Sequence, residues 1–206
     1  MSTLEVNKIT PVGVGTNVTL GDSGDTFTIP SGVTLDGSSA TLTGFATTNG
    51  ITMADQWRVT SNFTDNAEPI ASNLERVDGT GQGTLGTGMT ESSGIFTFPS
   101  TGIYLVCFDA MCAVTNPGYE ESDGNAQIHV TNNNSTYHSR TGAKFSLHYN
   151  NVARECSVHC STLVDVTDTS NVKVRFHINA VTSQVTTRGN SDSNQTCMTF
   201  IRLGDT

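Results

Sequence analysis

The side chains best able to do chemistry crowd into one stretch: His148, Cys156, His159 and Cys160. Thiolates and imidazoles are zinc ligands, but a tetrahedral ion with bonds of about 2.3 Å needs them close together. If residues 155–166 form a strand, Cys156 and Cys160 share one face about 13 Å apart, and His159 points to the other face. The spacing favours cysteines packed as small hydrophobes over a metal site. His129, His138 and His177 also fall on strands or their edges. No Gly-x-Ser-x-Gly elbow holds a nucleophile near a base. Glu120, Glu121 and Asp123 offer oxygens that suit calcium, yet they lack the ligand periodicity of a calcium loop and read as a solvated turn. No catalytic residue, metal ligand or cofactor is expected, and the chain is not expected to be an enzyme.

The elements that carry these residues read as strands. Residues 57–63 alternate well enough for one strand, and 69–77 suggest a short second one. A Gly-rich run over 78–88 reads as a loop. Residues 94–98 form a strand ended by Pro99. Residues 102–112 are a nearly continuous apolar run rich in Tyr, Val, Ile and Phe, which predicts a central buried strand. Further strands are expected over 126–131, 143–149, 155–166, 171–180 and 195–203. The linkers at 115–125, 132–135 and 188–194 are rich in Asn, Asp, Ser and Gly, the residues that accept turn conformations. Short strands, regular punctuation and no helical pattern predict an all-β fold whose C-terminal head is an antiparallel β-sandwich of jelly-roll type.

The first part of the chain has a different texture. Apolar pairs Val18/Leu20, Phe27/Ile29, Val33/Leu35 and Ala40/Leu42 are each followed by turn residues. One chain cannot bury such narrow ridges alone, whereas three chains wound together can. Residues 1–48 are therefore expected to be an attachment arm, either a trimeric β-shaft or an extended strap on another protein. Residues 49–206 are expected to be the head domain.

Composition narrows the function. The chain has 206 residues, a net charge of −9 and only ten Lys and Arg, so a nucleic-acid partner is not expected. No segment approaches the ~20 apolar residues of a membrane helix, and the N-terminus lacks the basic start and apolar run of a secretion signal. Membrane insertion is not expected. The five cysteines, Cys107, Cys112, Cys156, Cys160 and Cys197, are expected to be reduced thiols.

The stretch Gly94-Ile95-Phe96-Thr97-Phe98-Pro99-Ser100-Thr101-Gly102-Ile103-Tyr104 resembles the Gly, x, Phe, x, x, Pro, x, x, Gly, x, Tyr signature of the trimeric jelly-roll superfamily of the complement globular head and tumour necrosis factor. Residues 57–63 resemble that family's opening strand, 161–166 with 171–174 its late hairpin, and 199–203 its closing strand. Two departures stand out. Thr196-Cys197-Met198 replaces the usual Phe-Ser-Gly, and Thr169-Ser170-Asn171 stands where Gly-Asp is common. The opening Leu4-Glu5-Val6-Asn7-Lys8-Ile9-Thr10-Pro11 resembles the starts of fibre-like structural proteins of marine bacteriophages, cyanophages included.

Together these resemblances imply a homotrimeric virion structural protein, assembled in the host cytoplasm. Residues 1–48 would join other virion proteins, and the head would bind a host surface glycan or protein. Candidate receptor-facing loop residues are Tyr119, Glu120, Asp123, Asn190 and Asp192. Candidate trimer-core residues are Trp57, Tyr104 and Phe200. The alternatives are a secreted or free lectin-like module of the complement-head type and, less well supported, a polysaccharide-degrading enzyme, which would need paired carboxylates across a groove.

Overall fold

A computed structural model describes residues 50–149, 152–180 and 183–206, together with residues 26, 31 and 32. The expected arm or shaft over residues 1–48 lies, but for those three positions, outside the described residues. The chain separates into two units, Met1–Ala46 and Thr47–Thr206, and the second carries the architecture below.

The described residues form twelve strands and no helix. In chain order these are β1 (Met53–Val59), β2 (Ser61–Thr64), β3 (Leu74–Arg76), β4 (Thr90–Ser92), β5 (Ile95–Thr97), β6 (Gly102–Val114), β7 (Glu120–Thr131), β8 (His138–His148), β9 (Arg154–Val166), β10 (Lys173–Asn179), β11 (Val185–Asn190) and β12 (Cys197–Gly204). They make two antiparallel sheets. The larger runs β2-β11-β6-β12-β1-β3, with β9 paired to β6; the smaller runs β4-β5-β10-β7-β8. β6 organises the larger sheet because β9 follows its whole length on one side, while β12 and β11 share the other. This is the all-β sandwich that the alternation and turn punctuation predict.

Two glycines explain why the Gly-x-Phe…Gly-x-Tyr stretch is built as it is. Gly94 has φ +79°, and a Cβ there would lie 2.4 Å from the Ile70 carbonyl. Gly102 has φ +141°, and its Cβ would meet the Gly204 carbonyl at 2.5 Å. Both are left-handed positions where the backbone of another segment passes close. Between them, β5 places Phe96 at the centre of the core. Its ring lies 5.5 Å from Trp57, 5.4 Å from Phe176 and 5.2 Å from Phe200, so one side chain ties four strands across both sheets. At the late hairpin, Asp168 does the work that Gly-Asp often does: its carboxylate accepts from the Ser170 amide at 2.7 Å and the Asn171 side chain at 2.7 Å.

Several expected boundaries move. Residues 57–63 are two strands that change partner at Thr60: β1 pairs with β3, whose ladder the Thr60 amide extends by donating to the Asn73 carbonyl, and β2 pairs with β11. Of 69–77, only Leu74–Arg76 is a strand; Pro69 has no amide to pair, and Asn73 has φ +57°. β7 begins at Glu120, so the 115–125 linker shrinks to 115–119. β8 begins five residues before residue 143, and β11 takes Arg188, Gly189 and Asn190 from the 188–194 linker.

One buried carboxylate fixes the long loop after β3. Asp55 is fully buried and accepts hydrogen bonds from Arg76 Nε (2.9 Å), Trp57 Nε1 (3.0 Å), Thr84 Oγ1 (3.1 Å) and the Met89 amide (2.7 Å). These donors span β1, β3 and residues 84–89. Replacing Asp55 by Ala strands buried donors, so Asp55→Ala is expected to cost about 2–4 kcal/mol of stability. Urea unfolding of the wild type and the variant checks this, read as a lowered midpoint at unchanged slope.

Candidate functional site

Alternation along β6 decides what the head shows to its surroundings. The even-numbered residues Tyr104, Val106, Phe108 and Ala110 are buried between the sheets. The odd-numbered residues Ile103, Leu105, Cys107, Asp109 and Met111 face outward and are only half-buried. On this outer face the register lines up Leu163 of β9, Leu105, Ile201 of β12, Ala54 of β1 and Leu85, which bridges to Ala54. Leu163 is 63% exposed and Leu85 49%. With neighbouring strands about 4.8 Å apart, this apolar row runs about 19 Å across the sheet. The next positions along β6 carry Cys107 and then Asp109, whose Oδ1 lies 2.8 Å from His159 Nδ1.

The expected trimer-core residues are placed differently. Tyr104 and Phe200 are 0% exposed and belong to the protomer's own core. The Tyr104 hydroxyl donates to the Ser100 carbonyl at 3.0 Å. Trp57 packs edge-on against Phe96 and donates to Asp55. All three lie on the inward parity of their strands; Tyr104 and Phe200 present no surface, and Trp57 is half-buried.

The expected receptor-facing residues fall on two separate connections. Tyr119 is exposed at the β6–β7 turn, and its carbonyl accepts from the Tyr149 amide. Glu120 and Asp123 are on strand β7 and not in a loop. Glu120 Oε2 lies 2.8 Å from His148 Nδ1, and Asp123 pairs with Lys144, both partners being on β8. Glu121 points inward and is buried, so these three acids do not converge. Asn190 ends β11 and its Oδ1 accepts from the Asp192 and Ser193 amides, shaping the turn into β12. Among the described residues no three His, Cys, Asp or Glu side chains are placed to hold a metal ion.

The cysteines are free and mostly inside. Cys112, Cys160 and Cys197 are buried, and Cys160 donates to the Ala126 carbonyl across the sandwich. Burial pushes their thiols up, that of Cys112 to about 12, which leaves almost no thiolate near neutral pH.

A cluster that sequence reading passed over lies on the outer face of the smaller sheet. The His129 and His177 rings stack with centroids 3.8 Å apart, and the Arg175 guanidinium sits 4.1 Å over the Tyr137 ring. Asn125 Oδ1, His129 Nδ1, Tyr137 OH, Arg175 Nε and His177 Nε2 are buried and find no protein partner among the described residues. The signal was present as period-two spacing, since Arg175 and His177 lie two apart and Arg175 faces His129 in the ladder. It could not be read without the register. Burial, the neighbouring His129 ring and Arg175 hold the His177 imidazole down at about 3. His129 is also lowered, by burial first and then by Arg175, with Glu68 acting against them and His138 with them.

No protein-family model matches the chain, and no curated protein matches it. Among solved structures, the Eiger TNF from S. frugiperda superposes with a TM-score of 0.51 at 12% sequence identity, covering 75% of this chain and 94% of that one. Murine APRIL at pH 5.0 superposes with a TM-score of 0.48 at 12% identity, covering 73% of this chain and 98% of that one. The chain thus shares the jelly-roll fold of tumour necrosis factor-like proteins, and at such identity the likeness is one of fold.

The buried His177 ring sets a direction for acid stability. Unfolded His177 takes up a proton below about pH 6.5, whereas the folded ring resists until about pH 3. Stability is complete above the unfolded value and declines as pH falls through that window, by at most about 1.4 kcal/mol per pH unit. Thermal melts from pH 7 to pH 4 are expected to show this decline, and His177→Gln to flatten it.

Proposed function

We propose that this chain is a non-enzymatic virion structural protein, a homotrimeric bacteriophage fibre or appendage. In this reading residues 1–48 join the particle, and the sandwich head faces outward to bind a glycan or protein of the host surface. The observation that carries the proposal is the outward row Leu163–Leu105–Ile201–Ala54–Leu85. A contiguous apolar band on a sheet face marks an interaction surface. The occupant we favour is another copy of the chain, for two reasons. Read as a β-shaft, one of the two expectations for the arm, the apolar pairs of residues 18–42 would also be buried by several copies wound together. The opening residues 4–11 resemble the starts of phage fibre-like proteins, which are anchored at that end.

Along β6 the row is flanked by Ile103 on one side and by Cys107 and then Asp109 on the other, so its apolar centre gives way to a charged border at Asp109. The sandwich is a rigid platform, and its connections at 115–119 and 190–196 are free to carry recognition.

Analytical ultracentrifugation of the full chain is expected to show a trimer at micromolar concentration. Leu105→Glu places a charge at the centre of the band without touching the core, since Leu105 faces outward. It is expected to yield folded monomers with an unchanged circular dichroism spectrum. A wild-type protein that sediments as a monomer would overturn the assembly and, with it, the appendage.

A further inference from the structure

The ladder between β7 and β8 contains an irregularity with a chemical consequence. Ile128 pairs with Thr141 and His129 with Ser139, so Arg140 is an extra residue opposite nothing. A bulge of this kind re-aims one side chain and recurs beside binding sites. Here it lets Arg140 leave the alternation of β8 and line a cleft toward β9. The cleft has a volume of about 420 Å³, and its walls include Thr131, Asn132, Thr162, Leu163 and Asp165. That volume lies within the range of sites that enclose small ligands.

The charge pattern of the walls is unusual. Several polar side chains near this edge have partners: Lys144 with Asp123, His148 with Glu120, and His159 with Asp109. Arg140 and Asp165 line the same cleft, yet neither enters a salt bridge or side-chain hydrogen bond among the described residues. A guanidinium held on a bulge presents two parallel donors, the geometry that grips a carboxylate. An unpaired aspartate offers acceptors for hydroxyl groups, and the threonine hydroxyls and the Asn132 amide add donors and acceptors.

We propose that this cleft binds an acidic saccharide, with Arg140 holding the sugar carboxylate and Asp165 accepting hydrogen bonds from its hydroxyl groups. The proposal rests on the host-binding reading above and names the chemistry of the ligand: a glycan whose terminal or branching residue is a uronic or neuraminic acid. A neutral sugar would leave the Arg140 guanidinium without its anionic partner.

The test uses the full chain in its native assembly, labelled with ¹⁵N and titrated with glucuronate, galacturonate, N-acetylneuraminate and, as neutral control, glucose. At least one acid is expected to shift the amide signals of residues 131–132, 140 and 162–167, with glucose at least about tenfold weaker. Arg140→Ala, at an exposed position that should not disturb folding, is expected to weaken the acid about ten- to hundredfold. Arg140→Lys should recover only part of this, because an ammonium cannot make the paired contact. Asp165→Asn should weaken acid and neutral sugars alike. No shift with any acid, equal binding of acid and glucose, or an Arg140→Ala protein that binds as the wild type does would each overturn the proposal. So would an Arg140→Ala change in sedimentation, which would assign the cleft to contacts between copies. The two readings fail separately: a trimer that ignores acid sugars sinks the cleft alone, while a monomer that binds them sinks the appendage alone.

Discussion

Strand β6 is apolar on both faces, and a two-layer sandwich has only one inside. Tyr104, Val106, Phe108 and Ala110 satisfy the inward demand by packing under the smaller sheet. Ile103, Leu105, Cys107 and Met111 leave the outward demand half-met. Strands that are hydrophobic on both sides belong where both faces are covered. The same excess continues sideways through Leu163, Ile201 and Ala54 because cross-strand partners share a face. A one-residue slip of β12 or β9 against β6 would exchange the two sets, so the straight thirteen-residue register of β6 with β9 sets the outer surface as firmly as it sets the core.

The inward half of that arrangement is held by aromatic rings and one carboxylate. Phe96 touches Trp57, Phe176 and Phe200, and Phe176 also meets Phe108 at 5.2 Å, so the rings form a continuous layer between the sheets. At its border, Asp55 gathers donors from β1, β3 and residues 84–89. That gathering also brings Leu85 alongside Ala54, where it extends the outward row by one residue. An internal polar contact thus shapes the external apolar surface: the loop carrying Leu85 is placed by a carboxylate facing the opposite side of the same strand.

How much of this was legible in the sequence follows from the same alternation. β6 was legible because a long run of β-branched and aromatic residues needs burial on two sides, and the Gly94–Tyr104 stretch because its glycines sit where no Cβ fits. The first half of β7 was not: Glu120-Glu121-Ser122-Asp123-Gly124 has the composition of a loop and becomes a strand only because β8 supplies Lys144, His148 and the ring of Phe145, which occupies the space a Cβ on Gly124 would need. β11 is short and polar, and its strand character comes from Val114, Ala113 and Cys112 opposite it. Trp57, Tyr104 and Phe200 were expected between copies because size and apolarity are visible in a sequence while parity is not. Large aromatic residues fill the interior first, and the smaller aliphatic ones are left to face outward. The His129–His177–Arg175 cluster was hidden for a related reason, since stacking across β7 and β10 depends on a register no single segment encodes.

The bulge at Arg140 joins these themes at the edge of the fold. β8 ends the smaller sheet and β9 ends the larger one, and among the described residues neither has a strand paired to it on its outer edge. Long free edges invite added strands, and a register break is one way to refuse them. By inserting Arg140, β8 interrupts its own ladder and carries a charge at the place where another strand would dock. The displaced side chain lines the cleft at this edge, where β9 offers Thr162 and Asp165. Protection of the edge and creation of a polar cleft are therefore consequences of a single extra residue. The two outer surfaces follow the same division: the sheet face is apolar and suited to a copy of the chain, and the sheet edge is charged, hydroxyl-rich and suited to a small polar ligand.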